Sequence, residues 1–404
     1  MPFKETCSME ERVRILSEYD TGAFTVSELA ERYGVSRETF YVWLKRRGSG
    51  DERWFEDRPH AARSCPHRTA GAVVAAVVRL RERFPHFGPK KLHARLVSDR
   101  PDRVWPAAWP RIKSGVGDIL KREGLMRSRE RRRRRVAGAG AIAPHAMAAN
   151  AEWCTDFKGW FRTRDGRRCD PLTLTDTMSR YLIATRIVEP TYVGVRAALE
   201  RVFAENGLPW SLRCDNGPPF GSAGAGGLSR LSVWWLRLEI EPHFIRPASP
   251  QENGRHERMH RVLKEETSTP PPAATVVEQQ ARFDAFRRHY NEERPHEALG
   301  QTPPAAHWQP SVRPFKQRPE EPWYDANHEV RRVRPDGTIK WRGEPVFIGE
   351  ALVRELIGLK ELEGGGHLVR FCRRELGIVG RSHRFVRFAP PYVKLVAEED
   401  PHED

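Results

Sequence analysis

From Glu152 to about Ala305 strand-like runs alternate with helical ones in the order strand, strand, strand, helix, strand, helix, strand, helix, which calls for a layered α/β domain. Trp153 to Thr163 and Cys169 to Thr175 flank Asp165-Gly166, a hairpin-turn pair, and Tyr181 to Val188 makes a third strand, so the domain opens with an antiparallel meander. Tyr192 to Asn206 is periodic as a helix and stops at Gly207. Ser211 to Cys214 is a short strand running into Asp215-Asn216-Gly217, Leu228 to Leu238 is helical, Pro242 to Ile245 is extended, and Gly254 to Glu266 is helical again.

The flanking segments follow other patterns. Between Met9 and Arg47 apolar residues recur at helical spacing, with Val13, Ile15 and Leu16, then Leu29 and Ala30, then Phe40, Val42 and Leu44. Gly34 permits a tight turn and Ser36 is a natural N-cap, which together make a helix-turn-helix signal. Its third helix carries Arg37, Thr39 and Tyr41 for base edges and Lys45, Arg46 and Arg47 for phosphates. A second all-α module over 68–126 offers Lys90, Lys91 and Arg111 to DNA. Arg127 to Arg135 is too charged to fold alone and reads as a basic linker. Past Pro319 short strands recur, with Asp336-Gly337 as a turn, and predict a small β-barrel. The expected order is helix-turn-helix 1–50, linker 51–67, second helical module 68–126, basic linker 127–150, α/β core 151–310, linker 311–325 and β-barrel 326–404.

The chain holds 69 basic against 54 acidic residues, a net charge of +15, which favours a polyanionic partner such as nucleic acid. Six scattered cysteines suit neither a zinc site nor a disulfide framework and read as reduced thiols. Apolar runs fall short of the roughly 18 residues that span a bilayer, and no signal peptide is apparent, so a cytoplasmic protein without membrane attachment is expected.

Phosphoryl transfer needs hard divalent cations, which take oxygen ligands, and carboxylates from separate elements supply them economically. Asp156 lies in the first strand, Asp215 at a strand end before Asn-Gly, and Glu257 in the first turns of a helix opened by Pro250, Asn253 and Gly254. On that helix His260, Arg261 and Lys264 fall at i+3, i+4 and i+7, predicting a DNA-facing ridge beside Glu257. Asp176 is a strand-borne rival for the first ligand, with Glu252 and Glu265 less well placed.

The motifs Trp153-Cys154-Thr155-Asp156-Phe157-Lys158-Gly159, Leu174-Thr175-Asp176-Thr177, Cys214-Asp215-Asn216-Gly217 and Pro250-Gln251-Glu252-Asn253-Gly254-Arg255-His256-Glu257-Arg258-Met259-His260 resemble the integrase catalytic core of bacterial insertion-sequence transposases of the DDE class. Tyr290-Asn291-Glu292-Glu293-Arg294-Pro295-His296 with Thr302-Pro303 resembles that core's closing motif. The likeness covers roughly residues 1 to 310. It implies a ribonuclease-H-like fold in which Asp156, Asp215 and Glu257 hold two Mg²⁺ ions, with Mn²⁺ able to substitute. It further implies cleavage at element ends, attack of the freed 3′-hydroxyl on target DNA, terminal inverted repeats read by the helical modules, and a homo-oligomer on DNA. Two departures stand out. The interval from Asp215 to Glu257 exceeds the family's common spacing and contains the glycine-rich stretch 221–227, as an inserted flexible loop would. The zinc module of retroviral relatives has no counterpart, so no structural zinc is expected. The alternative is a catalytically silent DNA-binding protein derived from a transposase; a nuclease acting on RNA–DNA hybrids leaves the two helical modules unexplained.

Overall fold

The computed structural model describes residues 7–57, 69–99, 113–126, 148–245, 254–268 and 271–388. The chain forms two compact units, Met1–Arg68 and Thr69–Asp404. Arg111, the arginine-rich 127–135 segment, Pro250, Glu252 and Asn253 lie outside the described residues.

The first unit has three helices, α1 (Ser8–Asp20), α2 (Val26–Arg32) and α3 (Arg37–Gly48), around Ile15, Leu16, Leu29, Phe40 and Trp43. Thr25 and Glu28 form a capping box at α2, and the Ser36 hydroxyl accepts the Thr39 N–H at 3.1 Å to start α3. Between them Gly34 sits at φ 65°, a left-handed conformation that costs other residues strain. Val13 and Val42, expected in the core, are exposed; Trp43 takes the interior place on α3.

The second unit begins with α4 (Gly71–Arg83), α5 (Pro89–Ser98) and α6 (Lys113–Arg122), packed around Val77, Phe84, Phe87, Leu92, Ile119 and Leu120. Buried Arg81 ties this module shut by donating to the carbonyls of Leu125 (2.9 and 3.1 Å), Pro85 (3.1 Å) and Phe87 (2.6 Å). Those partners satisfy a guanidinium whose burial would otherwise be costly.

The α/β core holds a five-stranded sheet from β1 (Glu152–Phe157), β4 (Pro171–Asp176), β5 (Leu182–Ile187), β6 (Ser211–Cys214) and β7 (Glu241–Phe244), in the order β5-β4-β1-β6-β7. β1, β4 and β5 form the expected antiparallel meander, while β6 and β7 join parallel. The first predicted strand breaks after Phe157, where Gly159 adopts φ 93°. Its continuation becomes a separate ribbon, β2 (Phe161–Arg162) with β3 (Arg168–Cys169).

One face of the sheet buries Trp153, Leu172, Leu174 and Leu212 against α7 (Tyr192–Asn206) and α8 (Arg230–Arg237). On the other, α9 (Gly254–Thr267) and α10 (Val276–Arg288) cover Leu182 with Met259, Leu263, Phe283 and Phe286. Edge strand β5 is closed by side chains. Asn291 accepts the Leu182 N–H at 2.8 Å and donates to its carbonyl at 2.9 Å, and Gln280 does the same for Ile187 N–H and Thr185 C=O, each at 2.9 Å.

C-terminal strands β8 (His328–Arg332), β11 (Leu356–Glu361), β12 (His367–Phe371), β13 (Arg374–Val379) and β14 (Phe385–Arg387) form an antiparallel sheet ordered β14-β13-β12-β11-β8. β9 (Thr338–Trp341) and β10 (Glu344–Phe347) form a separate hairpin. No closed barrel exists among the described residues, contrary to expectation, and Asp336-Gly337 joins strands of different sheets. Val233 and Leu236 of α8 enter the interior of this layer beside Ile339, Trp341, Ile357 and Phe371, so a helix covers apolar surface that the strands alone leave open. The 221–227 stretch is no loose loop. Ala225 to Gly227 are buried there, and at Gly226 (φ 62°) a Cβ would stand 3.2 Å from Leu376 Cδ2.

Candidate active site

In the parallel pairing of β1 with β6, Cys154 stands opposite Arg213. Two residues further along each chain are Asp156, still within β1, and Asp215, just past the end of β6, so the ladder leads both toward the same end of the sheet. Asp215 follows the last β6 residue. Its carboxyl is reachable by solvent but walled by the strand ends, and this desolvation raises its pKa, with the Gly217 N–H pulling the other way. Asn216 fastens the turn by donating to the Ile245 carbonyl at 2.7 Å.

The α9 helix crosses one face of this sheet. Asp156 pairs in register with Thr173 of β4, and the Thr173 hydroxyl lies 2.7 Å from Nε2 of both His256 and His260 while donating to the Asp156 carbonyl at 3.0 Å. Thr175, the next residue on that face, lies 2.9 Å from His256 Nδ1. These contacts fix the rotation of α9: its histidines meet the sheet, and Glu257, Arg261 and Lys264 are exposed. Burial pushes the pKa of His260 down to about 3 and that of His256 well below the usual range, so both imidazoles are neutral. His260, predicted on the DNA-facing ridge, turns its Nε2 toward Thr173 of the sheet, while Arg261 and Lys264 are exposed beside Glu257. Lys158, its pKa lowered to about 8 by burial and by Lys264, donates to Ser268 Oγ at 3.3 Å.

Asp176 has another role. Its buried carboxylate accepts from the Asn150 N–H (2.7 Å), the Ser179 N–H (2.7 Å) and the Ser179 hydroxyl (2.6 Å), which organises the turn after β4. Glu265 is exposed on the last turns of α9. Nearby, buried Glu152 binds Arg213 at 2.6 Å and His243 at 2.9 Å, linking β1, β6 and β7. Among the described residues, the group of three ligand-type side chains whose ligand atoms all lie within 4.8 Å of one another is Asp156, His256 and His260, and the three predicted carboxylates do not form such a group. Sequence reading missed this histidine pair, although spacing of four on one helix signals a shared face.

In α3, Arg37, Tyr41 and Lys45 line one open groove with Ser27 and Val42, and Tyr41 is 58% exposed. Thr39 is engaged at the cap, 2.8 Å from Ser36 Oγ, and Arg46 is half-buried. Arg47, predicted to touch phosphates, clasps Asp20 through two 2.7 Å bonds.

In the second module, Lys90 pairs with Glu297 at 2.7 Å, and Lys91 is largely enclosed, its pKa lowered to about 7 chiefly by burial and secondarily by Arg294. Phe84 and Phe87 stack on His289 with centroids 5.4 and 5.5 Å apart, and Arg83 pairs with Glu293 at 3.0 Å. This face, predicted to grip DNA, packs against the core's closing segment.

Residues 146–250 and 238–304 match two integrase core domain families, and residues 11–52 match a helix-turn-helix domain family. The insertion element IS476 uncharacterized 39.2 kDa protein of Xanthomonas euvesicatoria is 27% identical over 245 residues, 59% of this chain. The chain spans 65% of that relative's length. The insertion element IS407 uncharacterized 31.7 kDa protein of Burkholderia multivorans is 27% identical over 246 residues, 59% of this chain and 82% of the relative. Among solved structures, the HTLV-2 integrase catalytic core domain in complex with magnesium covers 41% of this chain and 100% of its own, at 15% identity and a TM-score of 0.32. The BIV integrase catalytic core domain covers 39% and 92%, at 21% identity and a TM-score of 0.30. No helix among the described residues is long and apolar enough to cross a membrane.

Proposed function

We propose that the chain is a transposase akin to the bacterial insertion-element proteins it matches, and that it cleaves DNA at the ends of its element and joins the freed 3′-hydroxyl to target DNA. What supports this reading is the likeness of residues 146–250 and 238–304 to integrase core domains, together with carboxylates on three separate elements of that region, Asp156 on β1, Asp215 just past β6 and exposed Glu257 on α9.

The donor set suits magnesium or manganese. Asp156, Asp215 and Glu257 offer only carboxylate oxygens, at a strand end and an exposed helical turn open to a phosphate backbone. They would hold two Mg²⁺ ions, for which Mn²⁺ could substitute. When bound, such ions supply Lewis acidity at the phosphorus and stabilise the attacking and leaving oxygens. The chain's own residues do the rest. Arg261 and Lys264, one and two turns beyond Glu257, hold the phosphate backbone along α9. Arg37, Tyr41 and Lys45 of α3 hold and read the end sequence, with Arg46 and Thr39 at the margin of that surface. The partners are terminal repeats and target DNA, and a homo-oligomer would hold two ends together.

Purified protein incubated with DNA carrying the repeats that flank its gene, and with Mg²⁺, tests this reading. Joined product from the wild type and none from Glu257→Gln is expected. Tight end binding by both proteins with cleavage by neither would refute catalysis and leave a DNA-binding protein.

A further inference from the structure

We propose that Asp156, His256 and His260 form a binding site for a transition-metal ion of the zinc class, separate from the all-oxygen set that suits magnesium. The three ligand atoms lie within 4.8 Å of one another. A tetrahedral site with bonds of ~2.0–2.1 Å has ligand separations of ~3.3 Å, so side-chain adjustment alone can close it. Two imidazoles and one carboxylate select zinc, cobalt or nickel over magnesium.

The histidines are arranged as ligands should be. They stand at i and i+4 in His256-Glu257-Arg258-Met259-His260, the spacing by which one helical face presents two imidazoles to one ion. Both Nε2 atoms already converge on a single oxygen, the Thr173 hydroxyl, at 2.7 Å each. On the far side of His256, Thr175 lies 2.9 Å from Nδ1; because Thr173 donates its hydrogen to the Asp156 carbonyl, Nε2 carries the ring proton in the metal-free protein, and on metal binding at Nε2 the proton would pass to Nδ1, where Thr175 can accept it. That is the supporting hydrogen bond metal-binding histidines commonly make. Neither contact is explained by DNA binding, because both rings face the sheet.

Asp156 belongs to both donor sets. A zinc ion held by it and the histidines would take a carboxylate from the magnesium set, so zinc would block Mg²⁺-dependent joining. That consequence rests on the transposase reading; the binding does not.

The test uses the full chain, stripped with chelator and titrated with Zn²⁺ by calorimetry and with Co²⁺ by visible absorption, for wild type, Glu257→Gln, His260→Gln and Asp156→Asn. One equivalent bound equally by wild type and Glu257→Gln is expected. Affinity for that equivalent should fall at least about 100-fold in the other two, with circular dichroism showing each variant folded. The wild-type cobalt complex, which depends on no variant, should give the strong absorption of a low-coordinate nitrogen and oxygen site without a thiolate band. Undiminished binding by His260→Gln and Asp156→Asn, a weak octahedral spectrum, or a thiolate band would each overturn the proposal. Zinc bound as expected by a protein that joins no DNA would leave the site standing and remove only the transposase reading.

Discussion

Asn291 stands in for a sixth strand, and its removal should loosen one edge of the core selectively. Its side-chain amide makes both backbone bonds that a neighbouring strand would make to Leu182, and both residues are buried, so water cannot replace it. In Asn291→Ala the Leu182 N–H and C=O lose their partners. Two bonds worth about 1 kcal/mol each, plus incomplete solvation of the exposed groups, give a cost of about 2–4 kcal/mol. At 1.4 kcal/mol per factor of ten, hydrogen exchange at Leu182 should accelerate roughly 30- to 1,000-fold, as read by mass spectrometry under native conditions. Asn291→Asp keeps the acceptor for the N–H but faces the carbonyl with a second oxygen in a buried place, so it should be no milder. A change below about threefold at Leu182 would refute the surrogate-strand account. Uniform acceleration across β1, β4 and β6 would refute its local character.

Docking of the α4–α6 module should depend on aromatic packing more than on its ion pairs. Phe84→Ala should cost about 3–5 kcal/mol and speed proteolysis within 69–126, whereas Glu293→Gln with Glu297→Gln should cost less than about 1 kcal/mol because Arg83 and Lys90 are exposed; equal effects in proteolysis would contradict this. Lys91 has a folded pKa of about 7 against 10.5 for the free side chain, so the unfolded chain binds more protons between those values and stability contributed at this site rises with pH from about 7 to 10.5. Urea unfolding of wild type and Lys91→Met across that range should show the difference shrinking as pH rises; a constant difference would count against a buried amine. On α3, Lys45→Ala should weaken binding to all DNA sequences and lower the salt slope by about one, while Arg47→Ala should lower the melting temperature of the helical unit instead. A change of salt slope in Arg47→Ala beyond that in Lys45→Ala would reverse the two roles.

The meander, the two later strands and helices α7, α8 and α9 are legible because periodicity and turn chemistry report them directly: Asp165-Gly166 marks the ribbon, and Gly207 ends α7; the parallel direction of β6 and β7 and the α10 helix are not. The break at Gly159 escapes a reading that favours one continuous strand, since a single glycine only permits a bend and tertiary packing decides it. The C-terminal region shows why local signals stop short of topology. Asp336-Gly337 signals a hairpin, yet the flanking strands do not pair with each other: β8 takes the distant β11, and β9 takes β10, the next strand along the chain. At the site, the carboxylates are legible from motif and context, but the rotation of α9 is not. Placing His260 on the same face as Glu257 follows from i+3 spacing alone. The actual phase is set by Thr173 and Thr175, which alternate with apolar residues along β4, and that pairing across more than eighty residues becomes visible only in three dimensions. Lys90 and Lys91 read as DNA contacts because charge is visible in a sequence, whereas the partner surface that neutralises or encloses them is not.

Between its terminal arginines the α8 helix is buried all round: Leu231, Trp234 and Trp235, with Leu238 just beyond, serve one interior, and Val233 and Leu236 serve another. Cutting the chain after the α/β core would therefore strand an oily flank in water, and the shortened protein should precipitate or pair with a copy of itself. A change in this helix reaches two hydrophobic interiors at once, leaving evolution few independent moves there. Such a party wall makes the C-terminal layer less a detachable accessory than the far side of the house.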